Sequence, residues 1–226
     1  MGITKQKTVD ELTANQSAEF WDREWRESPY RMSTLWSGFA LDWMNKDLTQ
    51  IRSVLDVGCG DCSTVCAFDF DGIQRHIICL DISSEALELA KQNNGHSNSS
   101  FDFVQGSATD IRFPGNSFDM VTSFEMITLL GDAYIGALNE MWRVTRGYLV
   151  FNVTYKGFAP QELVSLDERE TANVLATLSP SPKEQIMHAV TWDEFNNWSR
   201  PTSFSYSQIH SEGGDAKINM LVMMRK

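Results

Sequence analysis

The sequence predicts an α/β domain in which helices cover both faces of a mostly parallel sheet. A short apolar run that carries Asp56 is followed by Gly58 and Gly60 and then by a polar segment, which indicates a buried strand that ends at a tight turn before a helix. Strand-like and helix-like segments then alternate along the chain, as a parallel sheet requires. Two strand-like runs around a glycine-containing turn follow, and they predict an antiparallel hairpin.

Two helices are expected ahead of the sheet, over residues 8–27 and 33–48. The first carries aromatic residues among charged ones and is closed by Ser28 and Pro29. The second has one continuous apolar face, formed by Leu35, Trp36, Phe39, Ala40, Trp43 and Met44. The aromatic residues of this region have two open interpretations, because they would either cap the core or form a lid over a ligand.

The strands are expected at Arg52–Val57, His76–Leu80, Phe101–Gln105, Phe118–Ser123 and Gly147–Val153, with a hairpin of Phe204–His210 and Ile218–Met224. One helix should run from Cys62 to Phe70. Ser83 or Ser84 caps a second helix, whose inner face would carry Ala86, Leu89 and Ala90. A third helix is indicated by the 3.6-residue spacing of Tyr134, Ala137, Leu138, Met141 and Val144.

Composition describes an ordinary globular protein and limits its partners. The 226 residues are 42% apolar and 22% charged, with a net charge of −11. No cluster of Lys and Arg offers a surface for phosphates, so a nucleic-acid substrate is not expected. No apolar run is long enough to span a bilayer, and the first residues lack the apolar core of a secretory signal, so we expect a cytoplasmic protein without a membrane partner.

The four cysteines are Cys59, Cys62, Cys66 and Cys79. The spacing of the first three is similar to that of some metal and cluster ligands. They fall, however, in the glycine loop and the helix after it, where small and semi-apolar side chains pack well. We therefore interpret them as packing residues and predict no metal site.

The glycine turn differs from a dinucleotide fingerprint, because Ser63 stands where the third glycine would be. Instead, Asp56 precedes Gly58 by two residues, and a second acid, Asp81, ends the next apolar run. This pattern resembles motifs I and II of the class I S-adenosylmethionine-dependent methyltransferases. The resemblance covers about residues 50–226, and it implies a Rossmann-like, seven-stranded sheet of order 3-2-1-4-5-7-6 with an N-terminal helical lid.

The same resemblance implies that S-adenosylmethionine is the cofactor. Asp81 would accept hydrogen bonds from both ribose hydroxyls. Asp56 and the backbone of Gly58, Cys59 and Gly60 would face the amino and carboxylate groups of the methionine part. The remaining residues implied in cofactor binding are Ile82, Ser107, Ala108, Phe124, Trp25 and Arg31.

Ser107 departs from the pattern of the resemblance. Relatives usually carry Asp or Asn at this position, so the contact with the adenine amino group would be weaker here. Phe124 follows the fourth strand and would lie against the sulfonium, where an aromatic face favours a cation. The Asp/Asn-Pro-Pro motif of enzymes that methylate planar nitrogens is absent from Ser123–Met126.

The resemblance divides the single domain, residues 1–226, into four parts. Residues 1–49 would form the lid and 50–154 the cofactor-binding core. Residues 155–190, with a predicted helix over Gln161–Leu178, would form a substrate-side insertion, and 191–226 a C-terminal helix and hairpin. Among the candidate general bases, His188, His210, Glu125 and Tyr155, we favour His188 because the insertion should face the substrate.

The sequence thus predicts an enzyme that transfers a methyl group to an oxygen, nitrogen or carbon atom of a small molecule by in-line displacement. One alternative is a non-methylating reaction on the same fold, in which the sulfonium serves only as a charge. The other is a domain that binds the cofactor without catalysis and serves as the partner or scaffold of another subunit. Two features keep this second alternative open. One is Ser107, and the other is the segment Val144–Gly147, where relatives have an Arg-Pro-Gly-Gly turn. A homodimer is one option for the assembly.

Overall fold

The structure is a computed structural model that describes residues 14–27, 48–66, 73–93, 98–156, 198, 204–210 and 217–226. The predicted helix Gln161–Leu178 lies outside these ranges, as does all of the predicted helix 33–48 except its last residue. The described helices are α1 (Ala14–Glu27), α2 (Ser63–Cys66), α3 (Ser84–Asn93) and α4 (Tyr134–Val144). Three short 3-10 turns are found at Leu48–Gln50, Ile127–Leu129 and Gly131–Ala133.

The strands are β1 (Ser53–Val57), β2 (His76–Asp81), β3 (Ser100–Gln105), β4 (Phe118–Ser123), β5 (Thr145–Lys156), β6 (Phe204–His210) and β7 (Lys217–Arg225). They form one sheet of order β3-β2-β1-β4-β5-β7-β6, which confirms the predicted order. The first five strands pair in parallel, and β7 pairs antiparallel with both β5 and β6. The sheet is therefore Rossmann-like, with a hairpin at one edge.

The fifth strand is longer than predicted at both ends. It begins at Thr145 because that residue already pairs with Phe118 of β4. It continues to Lys156 because its last residues pair with the start of β7 at Lys217. Both extensions depend on a partner strand, and the local apolar pattern does not contain that information.

Two apolar clusters lie on opposite faces of the sheet. One contains the buried face of α4, whose five predicted residues, Tyr134, Ala137, Leu138, Met141 and Val144, are all buried. The other holds residues of α2 and α3. In α3, the predicted Ala86 and Ala90 are buried, the predicted Leu89 is only half-buried, and Leu87, which was not predicted, is buried with them. No helix in the described ranges has the length and apolar character needed to cross a membrane.

The amino ends of the central strands are joined by one carboxylate. Oδ2 of Asp119, on β4, accepts hydrogen bonds from the backbone N–H groups of Arg52 and Ser53 at 3.0 Å each, and one from the Ser53 hydroxyl at 3.1 Å. Oδ1 accepts two bonds from the guanidinium of Arg146 on β5. Burial acts to raise the pKa of Asp119, but these donors outweigh it and hold the pKa below the ordinary value.

Removing the charge of Asp119 should weaken the junction of β1, β4 and β5. We expect Asp119→Asn to lower the free energy of unfolding at neutral pH by about 1.5–3 kcal/mol, the range for hydrogen bonds to charged groups. Because the pKa is lower in the folded state, the contribution is present above the ordinary aspartate pKa and is lost as pH falls through the folded-state value. Urea unfolding of both proteins at neutral and acidic pH measures this difference.

The matched control is Asp110→Asn, because the pair of Asp110 with Arg112 has side chains 68% and 88% exposed. A surface pair of this kind contributes little, so the control should unfold within about 0.5 kcal/mol of the wild type. Equal effects of the two substitutions would contradict the role given to Asp119.

Candidate functional site

The loop after β1 has a backbone that only glycine adopts easily. Gly58 and Gly60 have φ values of +67° and +55°. The N–H groups of Gly58 and Cys59 both donate to the Leu80 carbonyl, at 2.8 and 3.2 Å, which fixes the loop to the end of β2. A Cβ on Gly60 would lie 2.8 Å from Cζ2 of Trp25. The predicted glycine turn is therefore present, and Trp25 lies directly against it.

The structure joins the two predicted motifs through the carboxylate of Asp81. Its Oδ2 accepts the N–H of Gly60 at 2.9 Å, and its Oδ1 accepts the N–H of Ser83 at 2.9 Å. The side chain is 7% exposed, and this burial raises the pKa of Asp81 although three backbone N–H groups counteract the shift. Asp81 thus connects the turn after β1 with the start of α3.

Asp56 lies deeper than Asp81 and has fewer donors. It is 2% exposed, and Oδ1 accepts a hydrogen bond from Oγ1 of Thr122 on β4 at 2.6 Å. Burial, followed by the nearby Cys79 and, more weakly, Asp81, raises its pKa well above the ordinary value. A positively charged group brought to this carboxylate would favour its ionised form.

Helix α1 is attached to the start of α3 by a contact that the sequence did not indicate. Asp22 accepts hydrogen bonds from the Ser83 hydroxyl at 2.7 Å, from the Ser84 hydroxyl, and from the N–H of Glu85 at 3.2 Å. Arg26, one turn further along α1, pairs with Glu85 at 2.7 Å. These bonds outweigh burial and lower the pKa of Asp22. They hold α1 beside the glycine loop, where Trp25 contacts Gly60.

The residues after β3 make local contacts. The Ser107 hydroxyl lies 2.9 Å from Oγ1 of Thr109 and accepts the N–H of Thr109 at 3.2 Å. Ala108 is half-buried against the α4 side of the core. Nε2 of Gln105 donates to the Ile82 carbonyl at 3.0 Å, a contact that the sequence analysis did not predict. Ile82, Ser107 and Ala108 thus follow the ends of neighbouring strands, β2 and β3.

Just after β4, the acid Glu125 has an uncommon backbone conformation and is hydrogen-bonded to an asparagine of β5. Phe124 is 4% exposed and packs in the cluster that contains Cys59 and Cys62. The next residue, Glu125, has a φ of +58°, which is uncommon outside glycine and marks stored strain. Its N–H donates to Oδ1 of Asn152 at 2.6 Å, and its carboxylate accepts Nδ2 of Asn152 at 2.7 Å. Asn152, on β5, was not predicted, since nothing in its sequence context distinguishes it.

Other predicted site residues lie outside the described residues. These are Arg31 and His188, together with Tyr30 of the predicted lid. The strands that contain Tyr155 and His210 are described, but the positions of those two side chains are not. The prediction for His188 therefore stays a prediction.

Comparison with known proteins agrees with the fold and the loop. Residues 54–147 match a family model described as a methyltransferase domain. Demethylmenaquinone methyltransferase from Bacillus licheniformis is 30% identical over 118 residues, which are 52% of this chain and 49% of that protein. The chain spans about half the length of the curated relatives it matches.

Solved structures share the whole architecture at low sequence identity. Magnesium protoporphyrin IX methyltransferase from Synechocystis PCC 6803, solved with bound S-adenosylhomocysteine, superposes with a TM-score of 0.60 at 12% identity, covering 92% of this chain and 98% of that one. The cyclase SpnF gives a TM-score of 0.65 at 16% identity, covering 95% of this chain and 96% of that one. Residues 54–147 therefore match a methyltransferase domain, and the fold is the one that these solved structures have.

The attachment of α1 can be tested at Asp22. We expect Asp22→Ala to increase amide hydrogen exchange throughout Ala14–Glu27 and to lower the free energy of unfolding by about 1–2 kcal/mol, because it removes an anion from the start of a helix and leaves its donors without an acceptor. Exchange mass spectrometry measures the first effect. Exchange in β1 and β2 should not change.

The control is Glu24→Ala, since Glu24 is another acid of α1 and its carboxylate lies 3.8 Å from the guanidinium of the adjacent Arg23. It should leave the exchange of α1 close to that of the wild type. Exchange of α1 that is equally fast in both variants would show that Asp22 has no special part in the attachment.

Proposed function

We propose that this protein binds S-adenosylmethionine and transfers its methyl group to an oxygen, nitrogen or carbon atom of a small molecule. The observation that carries the proposal is the hydrogen bond between Gly60 and Asp81, which brings the glycine loop and a buried acid together at the carboxyl ends of β1 and β2. In open α/β sheets, ligands bind at this edge, outside the ends of the parallel strands.

Asp81 supports the proposal because its carboxylate retains acceptor capacity. The N–H groups of Gly60 and Ser83 donate to different oxygens, the N–H of Ile82 also favours the charged form, and a carboxylate offers about four acceptor positions. The remaining lone pairs would accept ribose hydroxyls. Asp56 would complement the methionine ammonium, since a buried carboxylate with a raised pKa gains from a nearby cation.

Two buried oxygens at the same edge support a bound polar ligand. Among the described residues, Ser63 Oγ at the start of α2 and Ser123 Oγ at the end of β4 are buried without a hydrogen-bond partner. Such groups are costly to leave unsatisfied, and a ligand or its waters would supply partners. These residues therefore fit a polar, zwitterionic cofactor better than an apolar one.

The chemistry needs little from the protein beyond binding and orientation. The sulfonium of the bound cofactor supplies an activated methyl group and a good leaving group. Phe124 would shield it with an aromatic surface, and Trp25 with Arg31 would close the site from the side of α1. Ile82, Ser107 and Ala108 would enclose the adenine, with Ser107 making a weaker contact because Thr109 already engages its hydroxyl.

The acceptor is proposed only as a class. A net charge of −11 disfavours a polyanionic substrate such as nucleic acid. The named curated relatives are demethylmenaquinone methyltransferases, so demethylmenaquinone belongs in the first panel of acceptors. The alternative, a cofactor-binding scaffold without turnover, predicts the same binding but no transfer to any acceptor.

The cofactor assignment is tested by calorimetric titration with S-adenosylmethionine and S-adenosylhomocysteine. We expect micromolar binding, about −8 kcal/mol, and at least about a tenfold loss in Asp81→Asn, since one of the ribose contacts then loses its charged acceptor. The pKa values of Asp56 and Asp81 are both raised, so affinity should begin to fall on acidification at a pH above the ordinary aspartate pKa of 3.8.

Asp61→Asn is the matched control. Asp61 is a 5% exposed acid of the same loop, but its carboxylate holds the N–H of Ser63 and the side chain of Asn93. This variant should bind the cofactor within a few-fold of the wild type. No binding by the wild-type protein would overturn the proposal, and binding without transfer across the acceptor panel would favour the scaffold.

Glu125 is the described candidate for an acceptor-side role. With a responsive acceptor, Glu125→Gln should lower kcat by about 100-fold or more if the carboxylate removes a proton, while calorimetric affinity for the cofactor stays the same. Glu88→Gln, an exposed acid of α3, serves as the control. A kcat equal to that of the wild type would assign Glu125 to structure alone.

A further inference from the structure

Three of the four cysteines converge beneath the glycine loop. The Sγ atoms of Cys59, Cys62 and Cys79 all lie within 4.8 Å of one another. They come from three separate segments: the loop, the residue just before α2, and the middle of β2. Cys66 is close to Cys59 and Cys62 in the sequence, but it is not part of this cluster. It is the last residue of α2. We call these three residues the thiol cluster.

The thiol cluster is enclosed by protein. Its members are 9%, 0% and 0% exposed, and they pack with apolar residues that include Val54, Ile77 and Phe124. Asp56 lies opposite Cys79 in the β1–β2 register and is 2% exposed, and Asp81, the last residue of β2, is a second acid near Cys59. The thiol cluster is therefore buried and rich in soft donor atoms, and it has carboxylates nearby.

We propose that the thiol cluster binds a thiophilic metal ion, with Zn²⁺ as the expected ion and three cysteine thiolates as its ligands. A tetrahedral zinc site with Zn–S bonds of about 2.3 Å has sulfur atoms about 3.8 Å apart. The sulfur separations here, at most 4.8 Å, need a contraction of no more than about 1 Å. Thiolate ligands select zinc or monovalent copper over magnesium or calcium.

Charge favours zinc among the thiophilic ions. On binding, three S–H groups release their protons to solvent and three S–Zn bonds form. The product has a net charge of −1 with Zn²⁺, whereas monovalent copper would leave −2 beside Asp56 in a buried site. The smaller uncompensated charge is less costly to bury. The three ligands leave one position of the tetrahedron for a further donor.

Simple packing accounts less well for the arrangement. Isolated buried cysteines behave as small apolar residues. Here, however, three of only four cysteines in 226 residues have their sulfur atoms within 4.8 Å of one another. The sequence analysis interpreted Cys59, Cys62 and Cys66 as packing residues of the loop and the helix after it, and it did not place Cys79 beside them. Cys79 replaces Cys66 in space, and it lies 17 residues beyond Cys62 in the chain.

The test uses the full chain, reduced and stripped of metal with a chelator. Titration with Cd²⁺ reports thiolate binding directly, because sulfur-to-cadmium charge transfer absorbs in the ultraviolet. Competition with a chromophoric chelator then gives the affinity for Zn²⁺, and the same titration with Mg²⁺ tests selectivity. We expect one equivalent of Cd²⁺ or Zn²⁺ per chain, release of protons on binding, and no response to Mg²⁺.

Variants assign the ligands. Cys62→Ser and Cys79→Ser should each reduce Zn²⁺ affinity by more than about 100-fold, beyond the 10–100-fold that outer-shell residues of metal sites contribute. Cys66→Ser, from the same helix as the cluster but not part of it, should bind like the wild type. Bound Zn²⁺ should also raise the midpoint of thermal unfolding, since it binds the native state.

A readout on the wild-type protein covers variants that fail to fold. Bound Zn²⁺ should protect Cys59, Cys62 and Cys79 from alkylation under mild denaturation and leave Cys66 reactive, as peptide mass spectrometry would show. The proposal is overturned by an absent charge-transfer band, by equal loss in Cys66→Ser, or by a Cys59–Cys62 disulfide that replaces metal binding. None of these readouts involves S-adenosylmethionine, so their failure is separate from failure of the proposed function.

Discussion

The buried carboxylate of Asp81 is the constraint on which the functional edge of the sheet depends. Removing an ionised carboxylate from water costs several kcal/mol, and hydrogen-bond donors must offset that cost. The donors to its two oxygens come from different turns, the Gly60 N–H after β1 and the Ser83 N–H before α3. The charge is accommodated only when both turns adopt their native form. The loop geometry and the acid are therefore established together on folding.

The two ends of the sheet use the same kind of interaction for different purposes. At the amino ends, Asp119 receives two backbone donors and an arginine, and its pKa is lowered. At the carboxyl ends, Asp56 and Asp81 have no described arginine or lysine partner, and their pKa values are raised. An acid whose oxygens are fully hydrogen-bonded stabilises the fold, whereas a buried acid with unused hydrogen-bond acceptor positions is a candidate for binding a ligand.

The sequence predicted the strand order and the α4 core because both follow from local periodicity and from one motif. All five apolar residues predicted for α4 are buried, and the seven strands lie in the predicted order. Within the site, the glycine turn is present where its two glycines predicted it, and the structure places Asp81 and Trp25 beside it. The binding roles given to these residues stay predictions.

The features that sequence reasoning missed are contacts between residues distant in the chain. Asp22 and Ser83 are separated by 61 positions, and Glu125 and Asn152 by 27. An acid on a helix looks like any solvated residue, and an asparagine in a strand has no periodic signature. Cys79 lies near Cys59 and Cys62 because β2 pairs with β1 in a register that places Cys79 opposite Asp56. The register of the two strands determines this grouping, and the spacing of the cysteines in the sequence does not.

The two proposals meet at Asp56. A region that holds two buried acids and three buried thiols is rich in groups that become negative on losing a proton. The zinc–thiolate group beneath the loop would carry a net charge of −1 near Asp56, and the ammonium of a methionine group would bring positive charge to the same carboxylate. The zinc–thiolate charge would raise the cost of ionising Asp56, but it would also attract the ammonium. Linkage requires the effect of metal on cofactor affinity to equal that of cofactor on metal affinity. The sign of that shared coupling reports which of the two terms is larger, the hindered ionisation of Asp56 or the attraction between the ammonium and the zinc–thiolate group.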